Sequence, residues 1–433
     1  MKKRLKLFSI LLACFMALAF VSCEDSITVA SGDGGGTQQG GSGGGTGGGA
    51  SGGGTGGGTQ QGGLDSITGL ANQLAWLRIN ARNGGSYVLE INLDESISPQ
   101  TLSFNGRNNI TITLRGVGAS RTISLSYNGQ MFWVQSGVTL ILDNNITLQG
   151  RNNNTHSLVH VTGGSFRMNT GSRITGNRND SSGGGVFMDS GVITIDGGNI
   201  SGNTSGAGGG VAILNEGTLI MNSGTISGNT ADSGGGVFQS GGTFTMSGGT
   251  MSNNTAFLGG GVNVSTGGIF TMDSGTISGN TAGANGGGVL ILLDGTFALQ
   301  GGSIIGNTAD PEDAFSKGGG VALQQGGTFT MNGGSITGNT AGGFGGGFSI
   351  QIQGDSESPS VFTKTGGSIN GYIAGDSSSN TAIRGIGSND RGHAVYVESD
   401  IWQRANNKRR ETTAGPGVNL DSRIPGVAGG WEN

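Results

Sequence analysis

The sequence predicts an all-β chain, a right-handed parallel β-helix, and three observations lead there. First, one motif returns: Ile-x-Gly-Asn, a short loop, Gly-Gly-Gly-Val, a strand, a turn and Thr-Phe-Thr-Met. Its asparagines are Asn177, Asn203, Asn229, Asn254, Asn280, Asn307 and Asn339, at steps of 26, 26, 25, 26, 27 and 32. A period between about 20 and 50 residues marks a solenoid. Second, apolar residues inside the period alternate, as Phe244 and Met246 do, which is strand spacing. Third, 95 of the 433 residues are Gly and only 5 are Pro, with no Gly at every third position, so collagen is excluded. With 33% hydrophobic residues and a net charge of −5, most of the chain has apolar surface to bury.

Residues 1–22 read as a bacterial export signal. Lys2, Lys3, Arg4 and Lys6 form a positive start, and Leu7 to Val21 form an apolar stretch too short for a spanning helix. The stretch ends in Phe20-Val21-Ser22-Cys23, which resembles a lipobox, with Phe20 in place of the usual Leu. That resemblance implies cleavage before Cys23 and a lipid on it, so that the membrane is a partner through the lipid. The second cysteine, Cys14, lies inside the signal, which leaves no thiol for a disulfide or a metal site in the mature chain.

Residues 23–63 are expected to be a flexible linker. Ser31 to Gly63 holds 20 Gly among 33 residues, with Ser, Thr and Gln, and shows no apolar period. Such a chain has a root-mean-square reach of roughly 30–35 Å. Residues 64–109 read as an N-terminal cap. Ser66 is the candidate helix N-cap, Ile67, Leu70, Leu74 and Leu77 follow at helical spacing, and Gly84-Gly85 closes a helix over about 67–82. Short β-type runs follow at Tyr87–Leu93, Ile110–Leu114, Thr122–Ser126, Met131–Val134, Val138–Leu142 and Ile146–Leu148.

Residues 110–398 are assigned to the β-helix, at about three short strands per coil and roughly 11 coils, a rod of roughly 50–55 Å. Three apolar columns keep step with the asparagines. Phe244, Phe270, Phe297 and Phe329 belong to one, Met221, Met246 and Met272 to another, Ile226, Ile277 and Ile304 to a third. The asparagines are expected to stack as an amide ladder and to take the left-handed backbone of a corner. Asp310 to Lys317 is an insertion expected to bulge from one corner. Toward the end Lys364 replaces the Met-column residue, Asn370-Gly371-Tyr372 replaces the Gly-Asn corner, and Gly392 to Tyr396 is a weakened Gly-Gly-Gly-Val. Residues 399–433, with Trp402, Pro416, Pro425 and Trp431, read as a C-terminal cap.

Ile-x-Gly-Asn paired with Gly-Gly-Gly-Val resembles the repeats of chlamydial polymorphic outer-membrane proteins, over about residues 174–350. Signal, Gly-rich tether, repeats and an ending with Gly429-Gly430-Trp431-Glu432 together resemble treponeme-type spirochaete repeat lipoproteins. The resemblance implies an outer-membrane, surface-exposed location and an adhesive or envelope-structural role, with host or matrix glycan or protein as partner.

Chemistry is sparse. Residues 179–316 carry ten acids and neither Lys nor Arg, which disfavours nucleic acid. Asp196 and Asp273 fall at one turn position three coils apart, roughly 15 Å, too far for a glycosidase pair. His156 and His160 lie on one strand face at ~13 Å, too far to share a metal. No catalytic residue, metal site or cofactor is expected, and a carbohydrate-active β-helix enzyme is the alternative reading.

Overall fold

A residue that recurs once per turn and always points inward has its own copy above and below it. The chain is built on this rule. The computed structural model describes residues 63–352 except 65, and then 360–371, 377–383 and 395–399. All of these belong to the second of two compact units, which begins at Thr59. The export-type start, Cys23, the linker up to residue 62 and the tail from residue 400 lie outside the described residues.

The fold is a parallel β-helix of about ten turns. Every strand pairing is parallel, and pairing starts at Ser86–Ile91, which lies in register on Ile110–Gly116. Three faces recur in each turn. One carries Leu140, Phe166, Ile193, Leu219, Phe244, Phe270, Phe297, Phe329 and Phe362 as successive register partners. The next carries the isoleucine column, with Ile174 on Ile200, Ile226 and Met251. The last carries Val186, Val211, Val237, Val262, Val289 and Val321, ending with Phe348 on Val395. Two three-residue strands, Glu95–Ile97 and Gln100–Leu102, complete the first turn.

Burial explains why like stacks on like. Phe244, Phe270, Phe297, Phe329, Met246, Met272, Ile226 and Ile277 are all fully buried. Each such side chain contributes about 1.5–3 kcal/mol by leaving water. The phenyl rings lie nearly parallel, at 4.5 Å for Phe244 on Phe270, 4.7 Å for Phe270 on Phe297 and 5.1 Å for Phe297 on Phe329. This spacing is the strand-to-strand distance set by the backbone hydrogen bonds.

In the regular part a fourth short strand appears that the repeat pattern does not announce. Arg178–Ser182, Thr204–Ala207, Thr230–Ser233, Thr255–Leu258 and their successors down to Thr381–Ala382 form a separate eight-stranded ladder. It directly follows the asparagine column and uses the recurrent Asn-Thr-Ala triplet, as in Asn254-Thr255-Ala256. The chain then turns back through Gly-Gly-Gly. In Gly234-Gly235-Gly236 the first residue has φ 65, a left-handed conformation that glycine takes without strain. The other two are tight for a different reason. A Cβ on Gly235 would sit 2.5 Å from the carbonyl oxygen of Gly260, and one on Gly236 2.7 Å from that of Gly261.

The N-terminal helix α1 spans Leu70–Asn80 and buries Leu70, Leu74 and Leu77 on the first turn. Ser66 does not cap it. Its hydroxyl donates to the carbonyl of Gly63, and Gly69 occupies the cap position. The free helical N–H of Leu70 donates instead to the Glu95 carboxylate at 2.8 Å. A carboxylate there also meets the positive end of the helix dipole. Asp310 to Lys317 folds onto its corner. Ser316 Oγ accepts N–H bonds from Gly342 and Gly343 of the next turn, while Phe315 projects with 54% of its surface exposed.

Candidate functional site

The asparagine column is fully inside the molecule. Asn203, Asn229, Asn254, Asn280, Asn307 and Asn339 have no exposed surface, and Asn177 has 2%. Each amide is bonded in both directions along the rod. Asn229 Nδ2 donates to Asn254 Oδ1 of the next turn at 3.0 Å and to the Ile200 carbonyl of the preceding turn at 2.9 Å. Its own backbone N–H reaches the same Asn254 Oδ1 at 3.0 Å. The arrangement repeats through Asn254, Asn280, Asn307 and Asn339.

The column is longer than the seven expected residues. It continues to Asn380, whose Oδ1 accepts from Asn339 Nδ2 at 3.0 Å, and it reaches back to Asn154, whose Nδ2 donates to Asn177 Oδ1 at 3.0 Å. Asn380 therefore holds the corner position after Asn339, and Asn370 does not. The left-handed residue also differs from expectation. It is the residue before the asparagine, Gly228 at φ 62 or Asn253 at φ 54, while the ladder asparagines themselves are absent from the positive-φ residues. A buried asparagine aims its amide along the rod, so the tight corner falls on its neighbour.

The acids are tied to amides of adjacent turns. Asn222 Nδ2 donates to Asp196 at 2.7 Å, Asn169 Nδ2 to Asp143 at 3.1 Å, and Asn215 Nδ2 to Asp189. Arg167 Nε also lies 2.7 Å from Asp196 Oδ2. Among the described residues no group of three or more His, Cys, Asp or Glu is placed to hold a metal ion. Likewise, no helix among them is long and apolar enough to cross a membrane.

One stretch of surface is built differently from the rest. On the valine face the outward positions run Thr101, Trp133, His160, Phe187, Ala212 and Phe238 in register. From Ala212 onward they are buried: Phe238 keeps 9% of its surface, Asn263 2%, Leu290 and Ala322 none. The Thr-Ala ladder folds back over them. Asn263 Nδ2, for example, donates to Ser233 Oγ at 2.6 Å. That ladder begins only at Arg178, so the earlier turns leave the same face open.

The open turns carry a ring stack. The Trp133 and His160 rings are parallel within 6° at 5.5 Å, and Phe187 meets His160 edge-on at 4.9 Å. Thr162 Oγ1 accepts from Trp133 Nε1 at 3.1 Å and lies 3.1 Å from His160 Nε2. Gln130 Nε2, a donor only, lies 3.5 Å from His160 Nδ1. With Nδ1 accepting, the imidazole proton belongs on Nε2, pointing at Thr162. Burial lowers the His160 pKa to about 4, against a raising effect from Asp189 and a smaller lowering effect from His156. The ring is therefore neutral near pH 7. His156 lies in the bend before the strand, its ring 3.1 Å from Thr155 Oγ1, so the two histidines do not share one strand face.

Beside this stack is an open depression of about 350 Å³, lined by Ser103, Phe104, Arg107, Gln135 and Thr162 among others. One guanidinium group, that of Arg107, lines it, and Arg107 is bonded in turn to the backbone of Arg78. Arg107 Nη1 donates to the Arg78 carbonyl at 3.1 Å, and Arg78 Nη2 donates to Gln100 Oε1 at 2.9 Å and to the Thr101 carbonyl at 3.2 Å. These are neutral acceptors, so both cations keep their charge for something else. The sequence signal for this face was a plain one: Trp133, His160 and Phe187 are spaced by one turn each. Compared with family models, with curated proteins and with solved structures, the chain matches none.

Proposed function

We propose that the chain is a lipid-anchored bacterial envelope protein whose β-helix rod is presented outward for adhesion, extracellular binding or envelope structure. The observation that carries this reading is the open, aromatic-bearing stretch on a face that the Thr-Ala ladder covers in the later turns. A rod fastened by a continuous amide column holds outward side chains in fixed register, which suits display. The positive start, apolar stretch and Cys23 supply the anchor in this reading, and residues 23–63 supply the distance from the membrane. The partners are then the membrane, through the lipid, and a glycan or protein of the host or matrix. Nucleic acid does not fit the ten acids of residues 179–316.

Two measurements on cells test the reading. Metabolic labelling with an alkyne fatty acid is expected to mark the protein and to be lost in Cys23→Ser. External protease is expected to degrade it on intact cells. Absence of label on the natural chain would sink the anchor, and survival on intact cells with degradation in lysed ones would sink the surface location.

A further inference from the structure

We propose that the open face around Trp133 binds an acidic saccharide, a sugar chain bearing carboxylate or sulfate groups. The inference rests on the binding reading above and deepens it.

Three features of the face select this ligand. The first is an aromatic plane with one side free. Trp133 has His160 against one side, while its register partner on the other side is the exposed Thr101, far smaller than an indole. A flat ring with an apolar body and a polar edge takes up ligands that share that division. A pyranose does, with C–H bonds on its faces and hydroxyls around its rim.

The second feature is a rim of short neutral polar groups. Ser103, Gln135 and Thr162 line the depression next to the ring. Thr162 Oγ1 already accepts from Trp133 and His160, so its own hydrogen remains to be donated. Hydroxyls and amides that both donate and accept match sugar hydroxyls, which do the same.

The third feature is charge. Arg78 and Arg107 spend their hydrogen bonds here on neutral oxygen acceptors. They belong to a basic stretch: residues 64–178 hold nine Arg against five acids. A cationic region beside a concave site raises the local concentration of anions and speeds their arrival. A neutral glycan would make no use of it.

The test uses the full chain in detergent micelles, titrated by calorimetry. The probes are heparin hexasaccharide, hyaluronan hexasaccharide, cellohexaose and tripolyphosphate. At least one acidic hexasaccharide is expected to bind with Kd below about 1 mM, and cellohexaose about tenfold more weakly or worse. Trp133→Ala is expected to weaken binding about tenfold. Ser103→Trp, which fills the depression from an exposed position, is expected to do the same without touching the core. Arg107→Gln should flatten the salt dependence. Thermal melts confirm that each variant folds. The proposal is overturned if neither acidic hexasaccharide binds, or if binding survives both Trp133→Ala and Ser103→Trp. Tripolyphosphate binding as tightly as the sugars would also overturn it, leaving a bare anion site. Loss of the anchor at Cys23 would leave these titrations untouched, so the two ideas fail separately.

Discussion

At the residue scale, the buried asparagine is the most constrained position. Its amide has no water to turn to, so every partner must come from a neighbouring turn. Removing Asn254 takes the acceptor from the Asn229 backbone N–H and from one Nδ2 proton, and takes the Asn254 amide donor from the Ile226 carbonyl. Asn254→Ala is expected to cost about 3 kcal/mol or more in urea unfolding. Asn222→Ala, which removes only an exposed bond to Asp196, should cost less than about 1 kcal/mol. Equal losses would mean that the column does not hold the corner. His160 offers a second measurement. Its folded pKa, about 4, lies below the unfolded value of 6.5, so the unfolded chain binds more protons between the two. Stability is then full above about pH 6.5 and falls as pH drops toward 4, by about 3 kcal/mol in total. Melts from pH 7.5 to 4 should show this slope in the natural chain and lose it in His160→Phe.

At the element scale, the three apolar columns were legible because each repeats one residue type at one step. The Thr-Ala ladder was not, although Asn-Thr-Ala recurs from Asn229 to Asn380. Two residues, one facing out and one in, make too short a run to read as a strand. The helix cap failed for another reason: Glu95 reaches Leu70 across 25 residues, and local spacing carries no trace of that. The open face was hidden for a third reason. Trp133 and His160 look like ordinary strand residues until the ladder that covers their later counterparts is seen to start after them. The column has one exception: Lys364 lies on Met331 in the Met column with only 8% of its surface exposed, and burial lowers its pKa.

At the scale of the whole molecule, the turns are not electrically symmetric about the rod's cross-section. Ordinary parallel sheets alternate the sense of their peptide groups and carry little net dipole. Here the corner breaks that alternation. The N–H groups of Gly234, Gly235, Gly236 and Val237 all point to the next turn, at 2.8, 3.1, 3.0 and 2.9 Å from its carbonyl oxygens. The ladder from Asn203 to Asn339 has the same sense, each amide giving a proton forward and presenting oxygen backward. Aligned groups of this kind add along an axis, as they do in a helix. The opposite corners return the polarity: the N–H groups of Asp273, Thr296 and Ser303 point back to Met246, Gly268 and Gly275 of the preceding turn. The aligned row is therefore confined to one edge of the rod, the glycine corner and the buried amide column beside it, and the other edge runs against it.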